Sequence, residues 1–418
     1  MAKDLSKARL GQRLNRRQVL HGGLAAAALV SSSPLKVWAS TPTESDTADK
    51  DILVVVELSG GNDGLNTVVP FREDAYYRAR PTIAIGSDKL LTLDDNYGFN
   101  PGALGLKRLW DDGELAVVHG CGYDQPSYSH FTSMGYWHTA APHSGATYGW
   151  MGRLADALEP QPQAQLLVNV AANSSLAVAS QHHTPVVFYD PARFRRAAFS
   201  HQKRALHDQS NRAITGTNQN RNFLNRIAKS AVLTSTQIRT AWADYRSPVD
   251  YGIANLGLPK VAACIAHGLP ARLYYVSFQN NAFDTHVQQG PLHQRLLSYA
   301  SDALYGFLQD MKRLGQAKRV SLLAFSEFGR RLGENANAGT DHGSANLMFL
   351  AGHKVAGGHY GSPPDLSNLN AKDNLFHTTD FRRVYASAIA GGLGSDSVVQ
   401  VLGEGFEPLQ IFNNQQST

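Results

Sequence analysis

Apolar runs that end directly in acidic or imidazole side chains are the feature that most constrains this chain. Residues 320–325 are apolar and are followed, after one serine, by Glu327. A further apolar run at 347–350 lies just after Asp341 and His342. This order is typical of buried strands in an open α/β sheet, where the carboxyl ends of the strands meet a ligand. We therefore expect Glu327, Asp341 and His342 at one edge of a sheet.

The first strand follows the same rule. Residues 51–58 form a nearly continuous β-branched run, as in a central parallel strand covered on both faces, and Gly60-Gly61-Asn62-Asp63-Gly64 follows. The paired glycines permit a tight turn that presents Asp63 at the end of the strand. Asp63 is then a metal ligand or part of a plain turn. A phosphate-binding loop is disfavoured because the spacing differs from G-x-G-x-x-G and a carboxylate repels phosphate.

A further predicted strand, at 271–278, is followed by Asp284 and His286. These two side chains alternate with one residue, so in extended backbone both point to the same side. One Asp-His pair in a loop is usually a cap or a solvated turn, but several clusters at strand ends indicate more. Carboxylates and imidazoles together suit divalent cations, so the sequence predicts one or two ions of Zn, Mg, Mn or Ca.

Other segments complete an α/β pattern. We predict a strand at 115–119 and helices at 105–111, 132–139 and 291–314. Ser127 or Ser129 lies near the start of the second helix, where a hydroxyl either caps the helix or sits in positive potential that favours an alkoxide or a bound anion. Asp380 is predicted to cap a later helix.

The segment 154–258 differs in character. It is rich in Gln, Asn, Arg and His and includes an amphipathic stretch at 222–245. We interpret it as an inserted helical and irregular cap, so that the core consists of 51–153 and 259–418. Its basic residues are expected to form a solvated face or to hold an anionic substrate.

Positive charge is concentrated at the amino terminus. The chain of 418 residues has a formal charge of +5, but residues 1–39 hold seven basic residues and one acidic residue, so they carry +6 and the remainder −1. The remainder therefore gives no compositional support for nucleic-acid binding. Arg16-Arg17, a short Ala- and Gly-rich apolar run and Val37-Trp38-Ala39 look like a twin-arginine signal peptide, with 40–50 as a linker.

This leader predicts export through the twin-arginine machinery to the periplasm or beyond. Its apolar run is too short for a stable membrane span, which needs about 20 residues. Cys121 and Cys264 are the only cysteines of the chain. Their separation and the apolar surroundings of Cys264 favour free buried thiols over a disulfide.

Five motifs together resemble the DUF1501 family over nearly the whole mature chain. They are Gly60-Gly61-Asn62-Asp63-Gly64, Ser129-His130-Phe131, Phe283-Asp284-Thr285-His286, Ser326-Glu327-Phe328-Gly329-Arg330 and Gly339-Thr340-Asp341-His342-Gly343. This family is similar to the alkaline phosphatase and sulfatase superfamily. The resemblance implies a mixed, mainly parallel sheet sandwiched by helices, with metal at its carboxyl edge.

The resemblance also implies roles for individual residues. Asp63, Asp284, His286, Glu327 and His342 would be metal ligands, and Ser129 would be a metal-activated nucleophile. The residue pattern alone adds Asp341 as a further metal ligand. From its charge, Arg330 or its neighbour Arg331 is expected to clamp an ester oxygen, unless it pairs with Glu334. Glu-Phe at 327–328 replaces the superfamily's Asp-His, which removes one imidazole and favours a weaker or oxygen-ligated second ion.

Two functions follow as expectations. The first is an exported metal-dependent hydrolase of phosphate or sulfate esters, acting on a small-molecule or glycan-linked anionic ester. Cys121 lacks the C-x-P-x-R context in which sulfatases form formylglycine, so that type of sulfatase is disfavoured. The alternative is a catalytically silent metal-containing envelope protein that binds a glycan or a partner protein. An oxidoreductase is disfavoured because the chain lacks a dinucleotide loop and iron–sulfur cysteines.

Overall fold

The structure is a computed structural model that describes residues 50–194 and 219–413. The predicted signal peptide at 1–39 lies outside the described residues, as does the predicted linker at 40–50 except for Lys50. None of the described helices combines the length and the apolar character that crossing a membrane requires.

The described residues form fourteen strands and nine α-helices. The strands are β1 (Ile52–Leu58), β2 (Val68–Pro70), β3 (Leu91–Thr92), β4 (Tyr97–Phe99), β5 (Leu115–Gly122), β6 (Leu167–Val170), β7 (Val186–Val187), β8 (Leu273–Phe278), β9 (Val320–Phe325), β10 (Gly329–Glu334), β11 (Thr340–Gly343), β12 (Asn346–Ala351), β13 (Gly358–Tyr360) and β14 (Thr379–Asp380). The helices are α1 (Asp74–Ala79), α2 (Leu104–Asp111), α3 (His130–Thr139), α4 (Trp150–Leu158), α5 (Gln219–Asp244), α6 (Leu258–Ala266), α7 (Gln289–Arg313), α8 (Phe381–Ser387) and α9 (Val398–Leu402). The predicted strands and helices of the core are confirmed, with ends that differ by a few residues.

A mixed, mainly parallel sheet forms the centre of the fold, as predicted. Its strands lie in the order β13-β5-β12-β9-β1-β8-β6-β7, and β14 also pairs with β5. β1 is parallel to β8 and β9, whereas β12 is antiparallel to β5 and β9. Strands β1, β5, β8 and β9 therefore all end at one edge, which we call the carboxyl edge.

Helices cover both faces of this sheet. In β1, Val54 and Val56 contact an apolar layer built with α2, α6 and α7, whereas Leu53 and Val55 contact a layer built with α3, α4 and α8. Every residue of β1 is buried. Burial on both faces is why its sequence, apart from Glu57, is apolar throughout instead of alternating.

The segment predicted to be an inserted cap is partly built into the core. Strand β6, within 154–258, pairs in parallel with β8, and β7 extends the sheet beyond it. Ile238 and Ala241 of α5 are buried in one of the two apolar layers. Residues 195–218 of this segment lie outside the described residues. The short apolar run of β6 lies in polar sequence, which concealed its place in the sheet.

Both cysteines are buried free thiols, in agreement with the prediction. Cys121 lies in β5 and Cys264 in α6. Burial raises the pKa of Cys264 to about 12, so this thiol stays protonated at neutral pH.

The first glycine of the turn after β1 lies against the loop that follows β8. Gly60 has φ of +120°, and a Cβ on it would lie 2.5 Å from the backbone nitrogen of Asp284. Phe283 donates its N–H to the carbonyl oxygen of Ser59 at 3.0 Å, which holds the two loops together. Only glycine therefore allows the loop that carries Asp284 to sit this close to β1.

We expect Gly60→Ala to lower the free energy of unfolding by about 3 kcal/mol or more, at the upper end of single substitutions, because the loops must separate. Gly113→Ala is the matched control, since Gly113 also has a positive φ, +71°, but nothing lies within 4 Å of its added Cβ. The control should lose about 1 kcal/mol from backbone strain alone. Urea unfolding measures both, and equal losses would contradict the importance of the close approach.

Candidate metal centre

Three histidines and one aspartate meet at the carboxyl edge. Asp284 and His286 follow β8, His130 is the first residue of α3 after β5, and His342 lies in β11. The hairpin β10–β11 places His342 opposite Arg330 in register. Ligand atoms of His130, Asp284 and His342 all lie within 4.8 Å of one another.

Asp284 is the point on which the imidazoles converge. Its Oδ1 lies 3.0 Å from Nε2 of His342 and 2.9 Å from Nε2 of His286. Its Oδ2 lies 3.3 Å from Nε2 of His130. Arg330 donates to Oδ1 at 2.8 Å. Burial opposes ionisation of this carboxyl, but the hydrogen bonds from His342 and Arg330 lower the pKa of Asp284 to about 2.

The opposite nitrogen of each ring faces an acceptor. The Nδ1 contacts are His130 to Glu327 Oε1 at 2.7 Å, His342 to the Tyr128 carbonyl oxygen at 2.8 Å, and His286 to Asp341 Oδ1 at 3.4 Å. When a cation binds, the acceptor at Nδ1 holds the ring proton there and leaves the lone pair of Nε2 for the metal, whereas without a cation Nε2 can donate to Asp284. All three Nε2 atoms face Asp284, which is how metal-binding histidines are usually oriented.

This arrangement fits a divalent cation. Nε2 of His286 and Nε2 of His342 are 2.9 Å apart. With both ring protons on Nδ1, as metal binding requires, the two lone pairs and the carboxylate would repel one another unless a cation lay between them. Nε2 of His130 is buried and faces Oδ2 of Asp284 at 3.3 Å without hydrogen-bond geometry. A cation would satisfy all of these atoms, and nitrogen ligands with one carboxylate are a common donor set for zinc.

Protons compete with a cation at this centre. The hydrogen bond to Glu327 raises the pKa of His130, whereas burial lowers the pKa of His342 despite its bond to Asp284. A proton and a metal ion compete for Nε2 of His130, so acidification should weaken metal binding.

Glu327 lies at the end of β9 as predicted, but its carboxylate faces the glycine turn. It is fully buried and accepts the N–H groups of Gly60 and Gly61 at 2.9 to 3.2 Å in addition to the His130 contact. Asp341 also touches an imidazole nitrogen that points away from the centre. Glu327 and Asp341, both predicted to bind metal directly, instead contact the Nδ1 atoms of His130 and His286.

The structure does not bring Asp63 into this cluster. Asp63 is fully buried and accepts from Arg80 Nη1 at 2.6 Å and from Gln289 Nε2 at 2.6 Å. Burial would raise the pKa of Asp63, but the charge of Arg80 and the hydrogen bonds hold it below its ordinary value. The carboxylate is neutralised without a metal.

Arg330 is buried, and its donors are engaged inside the protein. The bonds run from Nε to the Gly61 carbonyl oxygen at 2.6 Å, from Nη1 to that of Thr340 at 2.8 Å, and from Nη2 to those of Gly60 at 2.5 Å and Phe283 at 3.0 Å, besides Asp284. It therefore presents no free fork to an ester. Glu334, its alternative partner, instead accepts from Thr82 and Ile83.

Ser129 takes the N-cap position of α3 and is exposed. Its hydroxyl forms no cap bond and no other hydrogen bond to the described residues. It stands next to His130 at the amino end of the helix, where unpaired backbone N–H groups and the helix dipole attract negative charge.

A cavity of about 710 Å³ adjoins the cluster and has His130 in its wall. Its wall also contains Glu57 and His138, whose side chains are joined by a hydrogen bond of 2.9 Å. Sequence reasoning missed both residues as well as His130. The sequence offered two signals that could have found them. Glu57 is a charged residue inside the apolar run of β1, and His130 lies between a predicted strand and a predicted helix.

Comparison with known proteins agrees with the motif pattern. Residues 116–390, more than half of the chain, match the family described as "Protein of unknown function (DUF1501)". The chain belongs to the DUF1501 family. No curated protein sequence matches this DUF1501 protein.

Solved structures resemble this DUF1501 protein at low similarity. A protein in the alkaline phosphatase superfamily from Vibrio parahaemolyticus is 9% identical, covers 83% of this chain and 71% of its own, and gives a TM-score of 0.34. The lipoteichoic acid synthase LtaP from Listeria monocytogenes is 10% identical, with coverages of 78% and 70% and a TM-score of 0.35. The C-terminal periplasmic domain of EcEptC from Escherichia coli, in complex with Zn, is 12% identical, with coverages of 73% and 73% and a TM-score of 0.31. Because these scores are low, the fold assignment rests on the strand pairing of this chain itself.

We expect Asp63→Asn to lower the free energy of unfolding by about 3 to 5 kcal/mol, because Arg80 would be left buried without its counter-charge. The same change in the exposed Lys107–Asp111 pair, Asp111→Asn, should cost less than about 1 kcal/mol. Urea unfolding measures both variants, and elemental analysis should find the metal content of correctly folded Asp63→Asn equal to that of the wild type. Loss of metal with little loss of stability would instead make Asp63 a ligand.

Asp284 should impose an acid dependence on the metal-free protein. Its pKa of about 2 lies below the ordinary value of 3.8, so ionised Asp284 stabilises the fold fully above about pH 4, and this contribution is lost as pH falls toward 2. We expect the difference in unfolding free energy between wild type and Asp284→Asn to shrink over this range. Unfolding in urea and chelator at several pH values measures it, and a constant difference would contradict the assignment.

Proposed function

We propose that the protein is a metal-dependent hydrolase of phosphate or sulfate esters, with His130, Asp284, His286 and His342 as the metal ligands. The observation that supports this most strongly is the convergence of three Nε2 atoms on one carboxylate while each Nδ1 faces an acceptor. A structural aspartate or an isolated surface histidine does not require this orientation. A bound divalent cation would stabilise negative charge on an ester oxygen.

Glu327 and Asp341 act in this proposal by orienting imidazoles. Glu327 is itself fixed by the backbone N–H groups of Gly60 and Gly61, so it holds His130 in place. Asp341 receives an additional hydrogen bond from Asn335 at 3.2 Å, which directs it to His286. Such outer partners typically change metal affinity by about 10- to 100-fold when removed.

Ser129 remains the candidate nucleophile. Its hydroxyl is exposed beside His130, and the positive potential at the start of α3 favours its ionised form and an anionic ester alike. Arg330 instead serves as a positioning residue, because its hydrogen bond fixes Oδ1 of Asp284. The cavity next to His130 provides space for the leaving group.

Export belongs to the same proposal. The leader would direct the folded protein through the twin-arginine machinery to the periplasm or outside the cell, where its substrate would be a small-molecule or glycan-linked anionic ester. This route carries folded proteins, so a cation bound in the cytoplasm would be retained during transport.

The test combines metal content with ester turnover. Protein purified without chelator should contain about one equivalent of divalent metal, and the Asp284→Ala/His342→Ala double variant should lose it. His182→Ala is the control, because His182 is an exposed histidine outside the cluster. Screening phosphate and sulfate esters should show turnover by the wild type, and Ser129→Ala should lower kcat by roughly a thousandfold or more.

The outcomes separate the alternatives. Activity of Ser129→Ala near that of the wild type would remove Ser129 as nucleophile but leave the centre. Bound metal without turnover of any ester would favour the silent envelope protein that binds a glycan or a partner. Absence of metal, with both proteins equally stable, would overturn the metal assignment.

A further inference from the structure

A buried acid lies at the wall of the cavity beside the candidate centre. Glu57, in β1, is 6% exposed although its neighbours in the strand are apolar. Its carboxylate accepts from the Tyr275 hydroxyl, from Ser277 Oγ at 2.9 Å and from His138 Nε2 at 2.9 Å. Burial opposes ionisation, but the His138 hydrogen bond holds the pKa of Glu57 below its ordinary value. A negative charge is therefore fixed there.

His138 is oriented by this carboxylate toward the cavity. Its Nε2 lies between Glu57 and the Tyr275 hydroxyl oxygen at 2.8 Å. Its Nδ1 has no hydrogen-bond partner among the residues that the structure describes, and the residue is part of the cavity wall. A carboxylate at one nitrogen of an imidazole makes the other nitrogen a defined polar contact for a ligand.

A second polar group faces the same space. Asn281 accepts the Ser59 hydroxyl on its Oδ1 at 2.9 Å, which leaves the amide N–H groups of its side chain as donors at the wall. Phe131, also in the wall, is 90% exposed. Such an exposed ring beside polar contacts offers a flat surface on which the apolar face of a ligand ring can stack.

The charge of the wall restricts the ligand. Among the described residues, those that line the cavity include no Lys and no Arg, whereas Glu57 contributes a carboxylate. A second anionic group on the ligand would therefore meet no counter-charge. A purely apolar ligand would bury His138 Nδ1 and the Asn281 amide without partners, which is costly. The wall thus fits a neutral molecule whose hydroxyl groups both donate and accept.

The cavity wall lies close enough to the metal-ligand cluster for one ligand to contact both. His130 and His138 are eight residues apart on α3, which corresponds to about 12 Å along the helix axis. The volume of about 710 Å³ is ample for one or two sugar rings. A ligand anchored at His138 therefore extends to the metal-ligand cluster.

We propose that this cavity binds a neutral, polyhydroxylated leaving group, a sugar, and that His138, positioned by Glu57, selects it. The inference rests on the proposed function, because it assigns the leaving group of the same ester.

The experiment compares two esters in the metal-loaded protein. Glucose 6-phosphate carries a neutral sugar, and phenyl phosphate carries a ring without hydroxyl groups; the matching sulfates serve if sulfate is the better ester. The measured quantity is kcat/KM for the sugar ester divided by kcat/KM for the phenyl ester. We expect His138→Ala to lower this ratio about tenfold, mainly by raising KM for the sugar ester, because one hydrogen bond is lost. His138→Asn, whose amide replaces the polar atom near Nδ1, should restore part of this ratio. His182→Ala should leave it unchanged.

Several results would overturn the inference while the proposed function stands. These are turnover of phenyl phosphate with no preference for the sugar ester, or an unchanged ratio in His138→Ala. If the metal-loaded wild type hydrolyses no ester, the proposed function fails. Calorimetric titration with glucose 6-phosphate then tests separately whether the cavity binds a sugar. Binding weakened about tenfold by His138→Ala would keep the cavity as a sugar site. Equal binding in both proteins, or none, would overturn it.

Discussion

The candidate centre depends on the hydrogen bonds that the buried guanidinium of Arg330 donates. It donates to carbonyl oxygens of the turn after β1, of the loop after β8 and of β11, and to the carboxylate of Asp284. Arginine stays charged at all relevant pH values, so each of these bonds is charge-assisted. Movement of any one of these segments would leave an N–H donor of the buried, charged Arg330 side chain unpaired. The turn after β1 and the two segments that carry Asp284, His286 and His342 are therefore held as a unit.

The glycine turn is bound from both sides by opposite charges. Gly60 donates its N–H to Glu327 and accepts from Arg330 on its carbonyl oxygen. Both charged groups continue to the centre, Glu327 through His130 and Arg330 through Asp284. The backbone of this turn thus fixes an imidazole and a carboxylate at once. Two consecutive glycines are needed here for a further reason, since a Cβ on Gly60 would lie 2.5 Å from the backbone of Asp284 and one on Gly61 would lie 2.2 Å from the ring of Phe328.

The sequence predicts the sheet and the edge at which the centre lies, but not which atoms meet there. Apolar runs ending in Glu327, Asp284 and Asp63 locate three strand ends correctly, because burial on both faces leaves a strong compositional signal. The direction of each carboxylate depends on partners distant in sequence. Arg80 turns Asp63 inward, and the turn after β1 captures Glu327. Neither partner has a periodic pattern, so spacing alone could not separate ligands from the residues that orient them.

In the proposed function, helix α3 would connect the metal-ligand cluster, where the ester binds, to the cavity wall that contacts the leaving group. Its first residue, His130, faces Asp284, and His138 faces Glu57. The helix is anchored between these points by Trp137, which is fully buried and stacks on Phe325 of β9 with ring centroids 5.5 Å apart. Because a helix transmits displacement along its axis, a shift that moved His138 from Glu57 would also move His130 from the centre. In the proposed function, the fixed distance between His130 and His138 would then discriminate between leaving groups of different size, because only a ligand of matching length could contact both ends of the helix.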